Sequence, residues 1–238
     1  MGSAPSRSGG AGGTWAILVA AGSGSRLGGD RPKAFAGLAG RPLLAESLER
    51  LDLSDWVDAI VIAAPPDWEE PTILLAEELV ASKVSSVVTG GATRAESVRN
   101  ALAEVPVDAL VVLVHDAARP LVDDSVIERL LGRLGEGLDG VVPGLPVNDT
   151  VKRVDGGLVV ETMPRDELVG VQTPQVFVAE RLRSALAGEG GLADATDCAF
   201  LVERAGGRVG VVPGDPRLLK VTTPDDLALV ERLLSEQS

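Results

Sequence analysis

Two cations, Arg26 and Lys33, flank a glycine-rich turn in the stretch Leu18 to Lys33, LVAAGSGSRLGGDRPK. An apolar run that ends in side-chain-free backbone lets amide groups approach phosphate oxygens closely, and the two cations complete a bed for a polyphosphate. Two familiar phosphate-binding templates fail on these residues. Gly22 and Gly24 begin a G-x-G-x-x-G fingerprint, but Leu27 stands at its third glycine, which disfavours a dehydrogenase. Asp30 and Arg31 follow Gly29 where a Walker loop demands Lys and then Ser or Thr. What remains is A-A-G-x-G-x-R-L followed by P-K. This ordered set is a glycine turn with two fixed cations, suited to holding a polyphosphate.

Further polar clusters recur after apolar runs. GGATRAESV carries Arg94 and Ser97 beside Thr93 and Glu96, which have the spacing of a capping box; capping alone accounts for the latter pair, leaving Arg94 and Ser97 as nucleotide-side candidates. The run DALVVLVHDAARP delivers His115, Asp116, Arg119 and Pro120 to the end of a buried strand, where α/β enzymes place site residues. Asp116 and Arg119 are the expected functional pair. His115, the chain's one histidine, is expected to be packed and bonded to backbone, outside the catalytic set. Lys220, among Leu218, Leu219 and Val221, is read as an inward-facing cation at a strand end.

The elements that position these groups follow from periodicity. Trp15 to Ala20, Ala59 to Ala64, Val84 to Val88, Ala109 to Val114, Gly140 to Val147 and Arg208 to Val212 read as strands. Between them lie expected helices opening at Pro42, over Asp67 to Ala81, from Thr93, over Asp123 to Leu134, from near Val178, from Ala195-Thr196-Asp197 with Asp194 or Thr196 as cap, and from Thr223-Pro224. VGVQTPQVF is a strand-like run. The expected fold class is α/β, a mainly parallel sheet with helices on both faces. Asn148 to Met163 breaks the rhythm with two β-rich runs joined by Asp155-Gly156-Gly157, a hairpin signal. Such a valine-rich arm must dock either on a second copy of the chain or back on its own domain.

At 238 residues the chain can bury a core. A net charge of −13 opposes nonspecific binding to nucleic acid or an anionic membrane, so anionic substrates must be held by local cations. The single cysteine, Cys198, rules out an internal disulfide. Residues 1–13, rich in Gly, Ser and Ala, read as a disordered tail ahead of one domain over 14–236, with the arm at about 148–165. No secretory signal and no membrane span is recognisable, and the expected location is the cytoplasm.

Taken in order, AAGSGSRLGGDRPK, GGATRAESV, HDAARP, VNDTVKR, Arg165, QTPQVF, ATD and KVTTPDDL resemble the 2-C-methyl-D-erythritol 4-phosphate cytidylyltransferase (IspD) family of the non-mevalonate isoprenoid pathway, over essentially residues 14 to 236. The resemblance implies a Rossmann-like sheet, a homodimer built through the β-arm, and reaction of CTP with methylerythritol phosphate, with Mg²⁺ bound mainly through the CTP phosphates and no dedicated protein metal site. It implies a catalytic set of Arg26, Lys33, Arg165 and Lys220. Ala20, Ala21, Gly22, Gly24, Gly91, Arg94, Ser97, Asp116 and Ala117 would bind nucleotide. Asp116, Arg119, Thr150, Arg165, Thr173 and Lys220 would bind the acceptor, with Arg165 supplied by the other subunit. Ala92 and Cys198 depart from the family pattern, which often has acidic residues at both positions.

The chemistry fits these residue types. An acceptor phosphate is already ionised at neutral pH, so cations and positioning, rather than a general base, must carry the reaction. A sister enzyme acting on ribitol 5-phosphate would share the loop, and a silent nucleotide-binding module would lack the cations.

Overall fold

The computed structural model describes residues 12–22, 31–188 and 192–236. Gly24 and Arg26, and the tail up to residue 11, lie outside the described residues.

Strand β1 (Thr14–Val19) alternates its side chains between the two faces of the sheet. Ala16 and Leu18 enter one buried cluster and Ile17 enters another. The remaining strands are β2 (Gly37–Leu38), β3 (Arg41–Pro42), β4 (Ala59–Ala64), β5 (Val84–Thr89), β6 (Val111–Asp116), β7 (Gly140–Pro146), β8 (Lys152–Asp155), β9 (Leu158–Thr162), β10 (Val169–Val171), β11 (Gln175–Val178) and β12 (Val209–Pro213). Eight of them form one sheet in the order β10-β7-β11-β6-β1-β4-β5, with β12 also on β7. The pairs β6/β1, β1/β4, β4/β5 and β12/β7 are parallel, while β11 and β10 run antiparallel to their neighbours.

Helices cover both faces, as the alternation predicts. Against one face lie α1 (Leu43–Leu53), α2 (Glu69–Glu78) and α4 (Asp124–Leu134), through Leu44, Leu48, Leu75, Ile127 and Leu130. The other face carries α3 (Arg94–Leu102), α5 (Ala179–Leu186) and α6 (Cys198–Arg204), through Val98, Leu182 and Leu201. Each fully buried Leu or Val of this kind contributes roughly 1.5–3 kcal/mol. Helix α7 (Pro224–Ser235) closes a third cluster, in which Val221 and Val230 meet Leu38 and Leu43.

Several expected boundaries move. Pro42 caps α1 instead of occupying its first turn. Helix α2 is shorter than Asp67 to Ala81, because Asp67 and Val80 both take positive φ angles that end regular helix. Asp197, not Asp194 or Thr196, caps α6, accepting from the Phe200 amide at 2.9 Å. VGVQTPQVF is divided into β10 and β11; Pro174 has no N–H to give a ladder. Residues 218–221 are not a strand, although Val221 donates its amide to the Ala118 carbonyl at 2.8 Å. The hairpin forms as expected, with Gly156 and Gly157 at φ 53° and 82°, the geometry of a tight two-residue turn. No described helix is long and apolar enough to cross a membrane.

Candidate active site

Chain order reverses at β1, which has β4 on one side and β6 on the other, and the crevice at the carboxyl ends of such strands is where ligands bind in this architecture. Val19 and Asp116 are partners in the β1/β6 register, so the glycine turn after β1 and the polar cluster of β6 emerge side by side. Strand β6 runs further than Ala109 to Val114 suggests: the Ala117 amide still bonds Val19 O, at 3.0 Å, so His115 and Asp116 lie within the ladder and inherit its rigidity.

A cavity of about 330 Å³ opens at this crevice. Its walls include Ala20, Ala21 and Gly22 just beyond β1, Lys33, Gly91 from the loop before α3, Arg94 from the first turn of α3, and Asp116, Ala117 and Lys220. Close approach explains the glycines after β5. A Cβ on Gly90 would collide with the Ala21 side chain, and one on Gly91 with Glu96, so both must lack side chains for the loop to pack between the end of β1 and α3. Thr93 caps α3 with the full box expected, its Oγ1 accepting from the Glu96 amide and Glu96 accepting from the Thr93 amide. Ser97 is buried beneath the loop. Its hydroxyl donates to the Thr93 carbonyl at 2.9 Å and accepts from the Gly91 amide at 3.0 Å, so it shapes this wall of the cavity.

A second cavity of about 220 Å³ adjoins the first. Arg119, Gln172, Thr173, Gln175 and Asp197 line it, and Arg94, Asp116 and Lys220 line both. These three form a triad on the shared wall. Asp116 Oδ1 accepts from Arg94 Nε at 2.8 Å, and its Oδ2 accepts from Lys220 Nζ at 2.6 Å. Burial would raise the Asp116 carboxyl, but the Arg94 and then the Lys220 charge outweigh it and hold the group well below the carboxylate range. The same pairing raises Arg94 despite the burial that opposes it. The other end of Arg94 touches Cys198 Sγ at 3.5 Å, where burial pushes the thiol upward. Arg94 Nη2 and Arg119 Nε are buried with no protein partner. Buried cationic donors left unpaired beside a cleft point to a ligand.

His115 is fully buried and bonded to backbone, as its position at the strand end predicts, and burial lowers it to about 4. It is neutral at physiological pH. Thr150 and Arg165 do not line either cavity; both are exposed at the base of the hairpin, where Arg165 Nη1 donates to Asn148 O at 2.6 Å. Sequence reasoning passed over Gln172 and Gln175. Gln172 exchanges two bonds with Asp215, and Gln175 donates to the Asp197 carboxylate at 2.9 Å. Their signal was available, for three polar side chains within an apolar nine-residue run are out of place unless they face a site.

Comparisons with known proteins identify the family. The family profile of 2-C-methyl-D-erythritol 4-phosphate cytidylyltransferase (IspD) matches residues 14–236. The protein of that name from Saccharopolyspora erythraea is 48% identical over 226 residues, covering 92% of this chain and 98% of its own. Its namesake from Nocardia farcinica is 46% identical over 224 residues, covering 94% of each. The crystal structure of the Thermus thermophilus enzyme superposes with a TM-score of 0.74 at 33% identity, covering 92% of this chain and 98% of that one. A fold and a sequence that coincide over nearly the whole length leave one conclusion: the chain belongs to the 2-C-methyl-D-erythritol 4-phosphate cytidylyltransferase family.

Proposed function

We propose that the chain transfers CMP from CTP to 2-C-methyl-D-erythritol 4-phosphate, giving the cytidine diphospho product and pyrophosphate. The observation that carries this reading is the wall of Arg94, Asp116 and Lys220 common to two adjoining cavities, one behind the phosphate turn and one lined by Arg119 and Thr173. CTP occupies the first and the methylerythritol phosphate the second. An oxygen of the acceptor phosphate attacks the α-phosphorus, the bond to the β-phosphate oxygen breaks, and pyrophosphate leaves in line.

No proton has to be removed from that nucleophile. The buried, neutral His115 therefore takes no part as a base. Asp116, with both oxygens engaged, holds Arg94 and Lys220 in fixed directions, so their positive charge is in place before charge builds on the α-phosphorus. Lys33 lines the same cavity, and Arg26 completes the catalytic set in the reading from resemblance. Ser97, Gly91, Ala20, Ala21 and Ala117 form the nucleotide wall, with Gly24 assigned there by resemblance.

The described residues contain no group of three or more His, Cys, Asp or Glu able to cage a cation, and Asp116 is the one carboxylate among the described residues of the first cavity. This donor set fits a Mg²⁺ carried in on the CTP phosphates, since magnesium keeps water and phosphate ligands and asks few of the protein. When bound, it would neutralise charge on the triphosphate.

A homodimer completes the assignment. All nine residues of β8 and β9 are exposed, Val154, Leu158 and Val159 among them by 61%, 73% and 61%, and a second copy would cover them. Thr150 and Arg165, remote from the cavities of their own chain, would then serve the partner's acceptor site. The cytoplasm, where CTP is available, is the proposed location.

Purified chain incubated with CTP, Mg²⁺ and either methylerythritol phosphate or ribitol 5-phosphate tests the acceptor through pyrophosphate release. Release with the first alone is expected. Release with ribitol phosphate alone would move the chain's substrate to the sister class, and release with neither would remove the catalytic reading.

A further inference from the structure

His115 connects the two sides of the acceptor cavity from behind. The ring lies on β6 next to Asp116, and each nitrogen has a partner: Nε2 is 3.0 Å from the Arg119 carbonyl, and Nδ1 is 3.2 Å from Thr173 Oγ1. A carbonyl can only accept, so Nε2 carries the hydrogen and Nδ1 is an acceptor. The Asp116 amide already donates to Thr173 Oγ1 at 3.1 Å, which turns the hydroxyl hydrogen toward Nδ1. All directions agree. A single chain of hydrogen bonds runs from the Asp116 amide through Thr173 and His115 to the carbonyl of Arg119.

The register shows why this chain matters. Gln175 pairs with Val114 in the antiparallel β11/β6 ladder, so two steps further Thr173 arrives opposite Asp116, where β11 has ended. Its side chain replaces the missing ladder acceptor for the Asp116 amide. The only direct tie between the loop of Arg119 and this broken strand end, among these bonds, is the imidazole. Arg119 in turn donates to the Leu218 carbonyl at 2.5 Å, which extends the same wall toward Lys220.

We propose that His115 is a positioning residue for the acceptor: by bridging Thr173 and the Arg119 backbone, it sets the width of the cavity that receives the methylerythritol phosphate without touching that substrate. The proposal rests on the acceptor assignment above. It predicts an effect confined to one substrate, because the bridge stands behind the second cavity and the triphosphate lies in the first.

The test uses His115→Gln, which keeps a donor for the Arg119 carbonyl but withdraws the acceptor from Thr173, and Thr173→Val, which removes the same bond from its other end at nearly equal volume. Each is expected to raise KM for methylerythritol phosphate about tenfold, the worth of one hydrogen bond, while the Kd for CTP without acceptor stays within about twofold. The double variant is expected to be no worse than the poorer single one, because both remove one interaction. Equal weakening of both substrates, losses that multiply in the double variant, or no change in either would overturn the proposal. Should His115→Gln fail to fold, the tautomer of the parent ring decides, because Thr173 itself lines the acceptor cavity. An activity-free readout separates this inference from the acceptor assignment: the chain has one histidine, so nitrogen NMR of the labelled ring is unambiguous. The parent should show the Nε2–H tautomer, with an Nδ1 resonance that moves in Thr173→Val. An Nδ1–H tautomer, or a resonance indifferent to Thr173, would refute the bridge even in an inactive protein.

Discussion

Lys220 and Asp116, 104 residues apart in sequence, meet at 2.6 Å on the wall common to the two cavities. The carboxylate is buried and the ammonium is 41% exposed on its side chain, so the pair keeps a charged face toward the cleft while its anchor stays fixed. Removing the anchor should therefore do more than remove one charge. Asp116→Asn leaves the buried Arg94 guanidinium without a counter-ion, a change that costs about 3–5 kcal/mol for a fully buried pair and, given the exposure here, on the order of 2 kcal/mol. A lowered urea midpoint accompanied by weakened turnover is the expected result. An unchanged midpoint would show that the triad does not hold the wall together.

Lys33 lines the first cavity from the start of a short 3₁₀ turn. Loss of a donor to transition-state charge typically costs about 2.7–4 kcal/mol. Lys33→Ala is accordingly expected to lower kcat on the order of a hundred- to thousandfold, with the folded state intact by circular dichroism. Turnover within a fewfold of the parent would remove Lys33 from the catalytic set.

Burial of His115 gives the fold an acid limit above that of its carboxylates. The folded chain binds a proton there only near pH 4, the unfolded chain near its ordinary value of about 6.5, so between these the unfolded state holds the extra proton. Stability is therefore full above about pH 6.5 and falls as the pH drops toward 4, by on the order of 3 kcal/mol. The lowered carboxyls of Asp116, Asp123, Asp215 and Asp226 lose their contribution at lower pH still. Urea titrations at pH 7 and pH 4.5 should show a fall in the parent that His115→Asn largely abolishes; equal falls in both would place the acid-sensitive group elsewhere.

The hairpin offers a direct assay of assembly. Val154 and Val159 pair across β8 and β9 and are each 61% exposed. Val159→Lys puts a charge into the face that a second copy would cover. Light scattering is expected to give the mass of two chains for the parent and of one for the variant. A parent of single-chain mass would contradict the dimer.

The strongest local signals were read correctly, the cap of α6 and the ends of α2 were not, and distant pairings left no signal. The Thr93–Glu96 capping box lies within four residues and forms as written, and the turn at Gly156-Gly157 follows from the left-handed backbone that glycine tolerates. Apolar runs located the strands because a doubly covered sheet buries both faces. Periodicity carries no information about which carbonyl an amide will find, so it ended β6 two residues before Asp116 and made a strand of 218–221, whose one ladder-like bond goes to the Ala118 loop. The pairing of Asp116 with Arg94 and Lys220 spans 22 and 104 residues, and the bridge through His115 spans 58, so neither leaves a pattern in the chain. Residue types alone singled out Asp116, Arg119 and Lys220; the fold brings the three to the lining of one cavity.

The central claim is that the two cavities are halves of one site for joining two phosphates. Phosphorus NMR of a reaction containing the chain, CTP, Mg²⁺ and methylerythritol phosphate measures this most directly. A new pair of coupled diphosphate resonances, growing in step with pyrophosphate and absent without the acceptor, is the expected result. Pyrophosphate accompanied by free CMP, or CTP left unchanged, would contradict the account.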